Sequence, residues 1–225
     1  LNLTNLWLVK PKDGLTGKGI YFYGTQNKKL KNCIIAKYLS HPHLLYGKKY
    51  DLRIFVLITG LNPLRIYLYK EGLVRISSEN YSLNISTLNE SYIHLTNTGL
   101  NTKNKKYVFP ENSYSEKANK WNLKTYKKYL KRNKIHYNFI ITKIADISIK
   151  TIIACHHLML ENLIKSGIND RSLFKLYGLD IIIDNNFNPY LLEVNTRPDM
   201  HIYDKMDRKI KQNVFVDTLN LVGIT

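Results

Sequence analysis

The sequence predicts a mixed α/β (α+β) protein in which antiparallel sheets pack against helices. Residues 51–76 contain strand-like runs whose connections are too short for crossover helices. Residues 119–134 and 146–165 repeat apolar side chains at helical spacing, and residues 177–194 read as a β-hairpin. With 225 residues and 44% hydrophobic content, the chain can bury one large core or two small ones that share a cleft.

The first element is a strand, loop and strand. Residues 6–9 and 20–23 predict the two strands, and the loop between them contains Gly14, Gly17 and Gly19. Glycines allow backbone amides to approach an anion closely, so a phosphate-binding loop is one interpretation. An ordinary hairpin turn is the other, and the glycines alone do not decide between them.

The second element is a strand over residues 51–59, in which Asp51 and Arg53 share one face. Phe55 and Leu57 follow them on that face. The opposite, apolar face contains Leu52, Ile54, Val56 and Ile58.

A second strand is predicted over residues 64–70, after a turn at Asn62-Pro63. Glu71-Gly72 predicts a further turn before a strand over residues 73–76. The polar stretch of residues 101–117 predicts a flexible loop.

Two helices follow. The helix predicted over residues 119–134 has one apolar stripe and a lysine-rich back, and the helix over residues 146–165 ends at Gly167. Its apolar positions are Ile149, Ile152, Ile153, His156, Met159, Leu160 and Leu163. His156 and His157 are adjacent and point in different directions, which favours packing or solvation over a metal site.

Residues 177–183 and 189–194 predict a hairpin around an Asn-rich turn. If the hairpin is symmetric about the Asn186-Phe187 peptide, Asp180 lies opposite Glu193, and Asn195 shares the face of Glu193. Two carboxylates in apolar strands repel each other unless a cation lies between them, and Mg²⁺ prefers such ligands. The alternative is that Asp180 and Glu193 each pair with a lysine or arginine.

The formal net charge of +17 indicates an acidic partner: nucleic acid, an anionic membrane or an acidic protein segment. We expect Cys33 and Cys155 to be free buried thiols in a reducing compartment. No apolar run approaches the roughly 18 residues of a membrane helix and no leader is apparent, so we expect a soluble, unsecreted protein without membrane insertion. Leu1 is not a methionine and a strand begins near Trp7, so we expect part of a longer protein.

Four phrases, in order, resemble the tubulin-tyrosine-ligase-like family: LWLVKP with GKGI, KKYDLRIFVLITGLNPLRIYLYKEGLVR, HLTNTGLN, and YGLDIIIDNNFNPYLLEVNTRP. The resemblance implies an ATP-grasp fold with antiparallel sheets in two lobes around a nucleotide cleft. It also implies that an N-terminal part of this fold is missing from the sequence. Residues 1–46 would be the remainder of the central lobe, with the phosphate loop and adenine hinge. Residues 47–225 would be the C-terminal lobe, with the phosphate-binding arginines and the magnesium site.

The resemblance also implies an ATP-dependent carboxylate-amine ligase that forms an acyl phosphate and uses ATP and Mg²⁺. The residues implied to bind the nucleotide are Lys10, Gly17, Gly19, Lys37, Tyr38, Leu39, Lys49, Asp51, Arg53, Arg75, His94, Thr96 and Asn97. The residues implied to be catalytic are Arg53, Arg75 and Glu193. The residues implied to hold the metal are Asp180, Glu193 and Asn195.

Within these roles, Lys10 and the loop of Gly17 and Gly19 would contact phosphates, and residues 37–39 would be the hinge that meets adenine through its backbone. Arg53 and Arg75 would reach the γ-phosphate and the acyl phosphate. The family commonly has Gln where this chain has Ala36, so we expect one adenine contact to be lost.

The chain is most similar to the glutamate-adding branch, which implies a tubulin polyglutamylase that uses free glutamate. Its acceptors would be the acidic tails of tubulin or microtubules. The protein would then be cytoplasmic and associated with the cytoskeleton, with the cilium or basal body as one possible site. Arg197 is a candidate contact for the incoming carboxylate. The lysines that would form a docking face, or else an ordinary solvated surface, are Lys120, Lys124, Lys127, Lys128 and Lys131.

Four alternatives stay open at this point. The chain resembles tyrosine and glycine ligases of the same family, and an inactive microtubule-binding relative would share most of its motifs. A ligase for a different acidic protein fits the same residues. Charge alone suggests a nucleic-acid-binding protein, but no recognised motif or aromatic stacking platform supports one, and we expect no nucleic-acid partner.

Overall fold

The computed structural model describes residues 5–14, 17–26, 30–112, 114–170 and 173–223. A small sheet contains β1 (Trp7–Pro11), β2 (Tyr21–Phe22) and β3 (Cys33–Lys37), in the order β2-β1-β3. A six-stranded sheet contains β4 (Leu44–Leu45), β5 (Lys48–Leu61), β6 (Leu64–Ile76), β7 (Lys120–Asn122), β8 (Lys175–Ile183) and β9 (Pro189–Asn195). Its order is β7-β6-β5-β8-β9, with β4 paired to β5.

All the strand pairs within the described residues are antiparallel. The α-helices are α1 (Ser91–His94), α2 (Thr98–Asn101), α3 (Leu123–Arg132), α4 (Tyr137–Ser166) and α5 (Lys205–Val222), and a short 3₁₀ helix spans Ile85–Thr87. The predicted combination of antiparallel sheets and helices is confirmed. Among the described helices, none combines the length and apolar content that crossing a bilayer requires.

The two faces of β5 pack against different helices, as its alternating pattern predicts. Leu52 and Ile54 lie in the main core, together with residues of α3 and α4. On the other face, Phe55 packs against α5 residues that include Met206 and Ile210. The helix α5 therefore covers one end of this face, and Asp51 and Arg53 lie beyond Phe55 along the same strand.

The turn predicted at Glu71-Gly72 is wrong, because β6 runs through it. Ile54 pairs with Gly72 and Val56 pairs with Leu68, so the extra residues of β6 form a bulge. A Cβ added to Gly72 would lie 2.6 Å from the carbonyl oxygen of Arg53. The glycine thus permits a close approach between two backbones rather than a chain reversal.

The start predicted for the first helix is also wrong. Residues 120–122 form β7, and α3 begins at Leu123 because the Asn122 side chain accepts a hydrogen bond of 2.7 Å from the Thr125 amide. This capping satisfies a backbone donor that the first turn of a helix leaves free. The apolar stripe of α3 is confirmed, and it includes the buried Tyr126 and Leu130.

The helix α4 begins at Tyr137, nine positions before the predicted start, and ends at Gly167 as predicted. Gly167 has a φ of 65°, the left-handed conformation typical of a helix C-cap. Ile152 is buried, but Ile149 and Ile153 are exposed, so the predicted stripe is only partly correct. His156 Nε2 donates a hydrogen bond of 2.8 Å to the Leu61 carbonyl, in agreement with a packing role.

The remaining local predictions have mixed outcomes. The described part of residues 102–117 contains no helix or strand. Both cysteines are free, but the prediction that they are buried is wrong, since Cys155 is exposed on α4 and Cys33 is half-buried. The predicted glycine loop is described only in part, because residues 15 and 16 lie outside the described residues.

Candidate active site

A row of charged side chains crosses four adjacent strands of the large sheet. Asp51 on β5 lies opposite Arg75 on β6, and Arg53 on β5 lies opposite Asp180 on β8. Asp180 in turn lies opposite Glu193 on β9. Strand register therefore pairs Arg53 directly with Asp180, which lies 127 positions away in the chain.

The arginines and aspartates of this row form a continuous chain of ion pairs, from Arg53 through Asp180 and Arg75 to Asp51. Arg53 Nε donates to Asp180 Oδ1 at 2.5 Å, and its Nη2 donates to Oδ2 at 3.1 Å. Arg75 Nη2 lies 2.8 Å from Asp180 Oδ2, and Arg75 also forms two hydrogen bonds to Asp51, one of them 2.7 Å long from Nε. Thr96 Oγ1 donates to Asp51 Oδ2 at 2.7 Å.

Because these side chains are buried, the stability of the network depends on each of its charges. All four charged side chains are buried, so each charge needs its partners to offset the loss of water. Burial by itself would lower the pKa of Arg75, but Asp180 and Asp51 outweigh it and raise that pKa. Burial would also raise the pKa of Asp180, but Arg75 and Arg53 hold it well below its usual range.

The predicted opposition of Asp180 and Glu193 is confirmed, although the hairpin is not symmetric throughout. Ile183 pairs with Pro189 and Ile181 pairs with Leu191, which is one position out of the predicted register. A shift between Asp180 and Ile181 leaves Leu192 as an extra residue and restores the predicted pairing.

Glu193 differs from Asp180 in forming no ion pair with the lysines and arginines that the structure describes. Among the described residues, no lysine or arginine nitrogen lies within 4.0 Å of its carboxylate. Asn195 Nδ2 donates to Glu193 Oε1 and to the Gly178 carbonyl, both at 3.2 Å. Glu193 as a residue is exposed, but partial desolvation of its carboxylate, followed by the neighbouring Asp180, raises its pKa.

These three side chains fit a magnesium ion. Among the described residues, the alternative in which each acid pairs with a cation holds for Asp180 but not for Glu193. Two facing carboxylates supply the oxygens that Mg²⁺ prefers, and Asn195 adds a neutral one. Asp180, Glu193 and Asn195 therefore form a suitable donor set.

A second polar cluster lies near Asp51. Lys49 Nζ donates to the Tyr38 hydroxyl at 3.1 Å and to the His94 carbonyl at 2.8 Å. The Tyr38 hydroxyl lies 3.0 Å from His94 Nδ1, and His94 Nε2 lies 3.1 Å from the Thr87 carbonyl. Burial lowers the pKa of Lys49 to about 7, although Asp51 opposes that shift. Burial and the charge of Lys49 lower the pKa of His94 to about 4.

The residues implied to bind phosphates and adenine are less tightly grouped. Gly17 and Gly19 have φ values of 80° and 79°, and a Cβ added to Gly17 would lie 2.8 Å from Asn97 Oδ1. The loop thus approaches Asn97 closely. Lys10 is half-buried, and its charge contributes to the lowered pKa of Lys49.

In the implied hinge, the Tyr38 amide already donates to the Leu6 carbonyl at 2.8 Å, within the small sheet. The Tyr38 side chain is buried in the cluster with Lys49, a contact that the sequence analysis did not anticipate. Lys37 is exposed and Leu39 is half-buried. Ala36 pairs with Leu8 of β1.

A cavity of about 240 Å³ adjoins the row of charges, and most of its far wall was not predicted from the sequence. The lining residues on that wall are Lys120, Asp199, Tyr203, Asp207 and Lys211. The spacing of Asp207 and Lys211 by four positions marks one helix face, but nothing in the sequence places that face beside Arg75. The predicted carboxylate contact Arg197 also lines this cavity.

The predicted docking face needs one correction. Lys120 is 1% exposed and its Nζ lies 2.8 Å from both Asp204 and Asp207, so it belongs to the cavity wall. The cause is β7, which pairs Lys120 with Arg75 and turns its side chain inward. The other lysines of the predicted face are exposed, and they are Lys124, Lys127, Lys128 and Lys131.

The two antiparallel sheets, with acids and arginines gathered on one face of the larger sheet, define a protein of the ATP-grasp fold class. A model of the tubulin-tyrosine ligase family matches residues 2–225, and the chain belongs to this family. The resemblance inferred from the four phrases is therefore confirmed at the level of the family.

The chain is 38% identical to tubulin monoglutamylase TTLL4 of Mus musculus over 220 residues, covering 96% of this chain and 18% of that relative. It is 34% identical to tubulin polyglutamylase TTLL5 of Homo sapiens over 221 residues, covering 96% of this chain and 17% of that relative. It is 32% identical to tubulin polyglutamylase TTLL6 of Mus musculus over 224 residues, covering 97% of this chain and 27% of that relative. The chain thus spans well under a third of the length of these relatives.

Proposed function

We propose that this protein is an ATP-dependent ligase that joins an amino acid, glutamate, to a carboxylate of tubulin. The observation that carries the proposal is the row of Arg75, Arg53, Asp180 and Glu193 across four strands, in which the first three are buried and Glu193 is exposed. Preorganised cations of this kind stabilise the charge that develops during phosphoryl transfer. The names of TTLL4, TTLL5 and TTLL6 support glutamate as the amino acid and tubulin as the acceptor.

The proposed reaction has two steps. In the first step, an oxygen of the acceptor carboxylate attacks the γ-phosphorus of ATP, and ADP leaves with the electrons of the broken bond. In the second step, the amine nitrogen of glutamate attacks the carbonyl carbon of the acyl phosphate, and phosphate leaves. The ammonium group loses two protons in total, one to the departing phosphate and one to solvent. Arg53 and Arg75 would contact the phosphoryl oxygens in both steps.

The proposed cofactors are ATP and Mg²⁺. Asp180, Glu193 and Asn195 would hold the ion, which when bound neutralises phosphate charge. The carboxylate pair is suited to this because Glu193 has no basic partner within the described residues. Lys10 with the loop of Gly17 would contact phosphates, and Lys49 would contact the nucleoside. Gly17 lies close to Asn97, and Asn97 lines the same cavity as Arg53 and Arg75.

We propose that the two lobes divide as the sequence analysis expects, at residues 1–46 and 47–225. The separation of the described strands into a three-stranded and a six-stranded sheet supports this division. The last strand of the small sheet ends at Lys37, and the first strand of the large sheet begins at Leu44.

The acceptor would dock through positive charge. A basic groove of about 570 Å³ is lined by Lys70, Lys124, Lys127 and Lys209, and Glu71 is the acid among its described lining residues. The exposed lysines of α3 that border it belong to the predicted docking face. An acidic segment is the partner that such a groove attracts, and the proposed acceptor is accordingly an acidic tail of tubulin, on microtubules.

The test is incubation of the purified full-length protein with tubulin, Mg-ATP and each of glutamate, glycine and tyrosine. Mass spectrometry of the tubulin tails then identifies the amino acid that is added. An increment from glutamate alone is expected. An increment from glycine or tyrosine would move the protein to another branch of the family, and no increment from any of the three would contradict the proposed ligase activity.

A further inference from the structure

The helix α4 has an apolar stripe on its solvent side. Another face of the helix, which includes Ile144 and Ile152, packs in the main core. The stripe contains the half-buried Leu160 together with Ile149, Ile153 and Ile164, which are 43%, 55% and 72% exposed. At about 100° per residue, the four positions fall within about 60° of one another. Single exposed apolar residues are ordinary, but a continuous stripe of them indicates an interaction surface.

The spacing of this stripe is the same in both directions along the helix. From Ile149 to Ile164, its members are separated by four, seven and four positions. Suppose that a second copy of α4 runs antiparallel to the first, across a two-fold axis near His156. Ile149 then lies level with Ile164 of the second copy, and Ile153 lies level with Leu160 of the second copy. A single register therefore aligns all four apolar side chains.

The charged side chains on one flank of the stripe have the same symmetry, with complementary signs. They are the exposed Asp146, Lys150, Glu161 and Lys165, separated by four, eleven and four positions. Two antiparallel helices related by this axis bring the same flank of each copy together, so acids meet bases. In the register of the apolar stripe, Lys150 lies about 3 Å along the helix axis from Glu161 of the second copy. The same offset separates Asp146 from Lys165 of the second copy.

The balance of charge on this flank differs from that of the whole chain. The net charge of the chain is +17, whereas the flank carries two acids and two bases. An acidic partner is therefore attracted to the basic groove rather than to this surface. In addition, α4 packs with Leu52 and Ile54, on the face of β5 opposite to Asp51 and Arg53. A second copy on the stripe thus lies on the far side of the sheet from the row of charges.

We propose that two copies of this protein form an antiparallel homodimer through the apolar stripe of α4. This inference goes beyond the proposed ligase function and does not depend on it. The stripe is about 22 Å long, at about 1.5 Å per residue. One helix face of this length buries less area than the roughly 1,200–2,000 Å² of a standard stable interface. The dimer is therefore expected to be reversible, and its population is expected to rise with protein concentration.

Ile153→Gln should weaken the dimer without affecting the fold. The residue is exposed, and a two-fold dimer contains the substitution twice, so the dissociation constant is expected to rise at least about tenfold. The matched control is Leu158→Gln, at a residue with a similar exposure of 52% that lies about 140° away around the helix. The control is expected to stay within twofold of wild type. Sedimentation equilibrium of the full-length protein at about 1–100 µM measures these constants.

An exchange of charges tests the antiparallel register. Lys150→Glu and Glu161→Lys each place like charges opposite one another, and each should raise the dissociation constant at least about threefold at low salt. The double variant restores opposite charges between the copies and should return to within about twofold of wild type. Within one helix it keeps the new like-charge neighbours of Asp146 and Lys165, four positions away. A change in the stability of the helix would therefore not produce this recovery.

Three results would overturn the homodimer, and each is distinct from failure of the ligase, which the tubulin assay decides separately. A wild type that stays monomeric up to about 100 µM excludes the dimer. If Ile153→Gln then lowers the melting temperature of that monomer, another segment of the full-length chain covers the stripe. Equal dissociation constants for Ile153→Gln and wild type would place the contact on another surface. A double charge variant that dimerises no better than the single variants would contradict the antiparallel arrangement.

Discussion

Asp180 and Glu193 face each other across β8 and β9 because Leu192 bulges out of the hairpin between them and the turn. Arg53 and Arg75 bind Asp180, whereas Glu193 contacts the Asn195 amide and Asp180 and forms no ion pair with a described lysine or arginine. The two carboxylates therefore differ in their electrostatic surroundings. Asp180 anchors the network, and Glu193 lies at its exposed end.

Glu193→Gln should abolish ligation with little loss of stability. The variant removes a charge that has no basic partner among the described residues, so the free energy of unfolding is expected to change by less than about 1 kcal/mol. Activity on tubulin and urea unfolding measure the two effects. Retention of most of the wild-type ligation rate would argue strongly against a metal role for this residue.

Arg75→Ala should be destabilising as well as inactive. Removing the guanidinium leaves Asp51 and Asp180 buried with fewer partners, and breaking a buried ion pair typically costs about 3–5 kcal/mol. Urea denaturation of wild type and variant measures this difference. A suitable control is Arg65→Ala, which removes an exposed arginine of the large sheet that donates a hydrogen bond to the Thr59 carbonyl and forms no ion pair within the described residues. Equal losses in both variants would show that the network does not stabilise the fold.

Lys49 should make stability rise with pH above neutrality. Its pKa is about 7 in the folded chain and near 10.4 when unfolded, so between these values the unfolded state binds more protons. The free energy of unfolding then increases with pH, by up to about 1.4 kcal/mol per unit from this group. Urea unfolding of wild type and Lys49→Met between pH 7 and 10 isolates the contribution. A variant with the same pH slope as wild type would show that Lys49 stays charged when folded.

Mg-ATP should stabilise the full-length protein against heat. A ligand at 100 times its dissociation constant adds about 2.7 kcal/mol to the free energy of unfolding, and the effect should shrink when EDTA removes the metal. Glu193→Gln should lose the metal-dependent part and keep a smaller response to ATP alone. If Mg-ATP leaves the melting temperature of the wild type unchanged, the protein is better described as an inactive relative than as a ligase.

Charge reversal in the basic groove should weaken binding to microtubules. Lys124→Glu combined with Lys127→Glu replaces two attractive charges by repulsive ones, and the effect should be largest at low salt. Cosedimentation at several salt concentrations measures it, with Lys165→Glu on the exposed surface of α4 as the matched control. Equal binding by the groove variant and the control would indicate that these lysines are an ordinary solvated surface.

Local sequence patterns were sufficient to predict several of these features. The alternation along β5 correctly separated Asp51 and Arg53 from the apolar face, because side-chain direction in a strand has a period of two. The hairpin around Asn186 paired Asp180 with Glu193, although the register nearer the turn was wrong. Where the prediction failed, at Gly72 and at Lys120, contacts with a neighbouring strand overrode the local signal.

By itself, the sequence determined the strand faces, the C-cap at Gly167 and the carboxylate hairpin, since each depends on residues close together in the chain. Only the tertiary structure decided that Arg53 and Arg75 share Asp180, and that Lys120 joins Asp207 in a buried wall. The physical reason is that register between strands distant in sequence is set by packing over the whole sheet, which no local periodicity encodes.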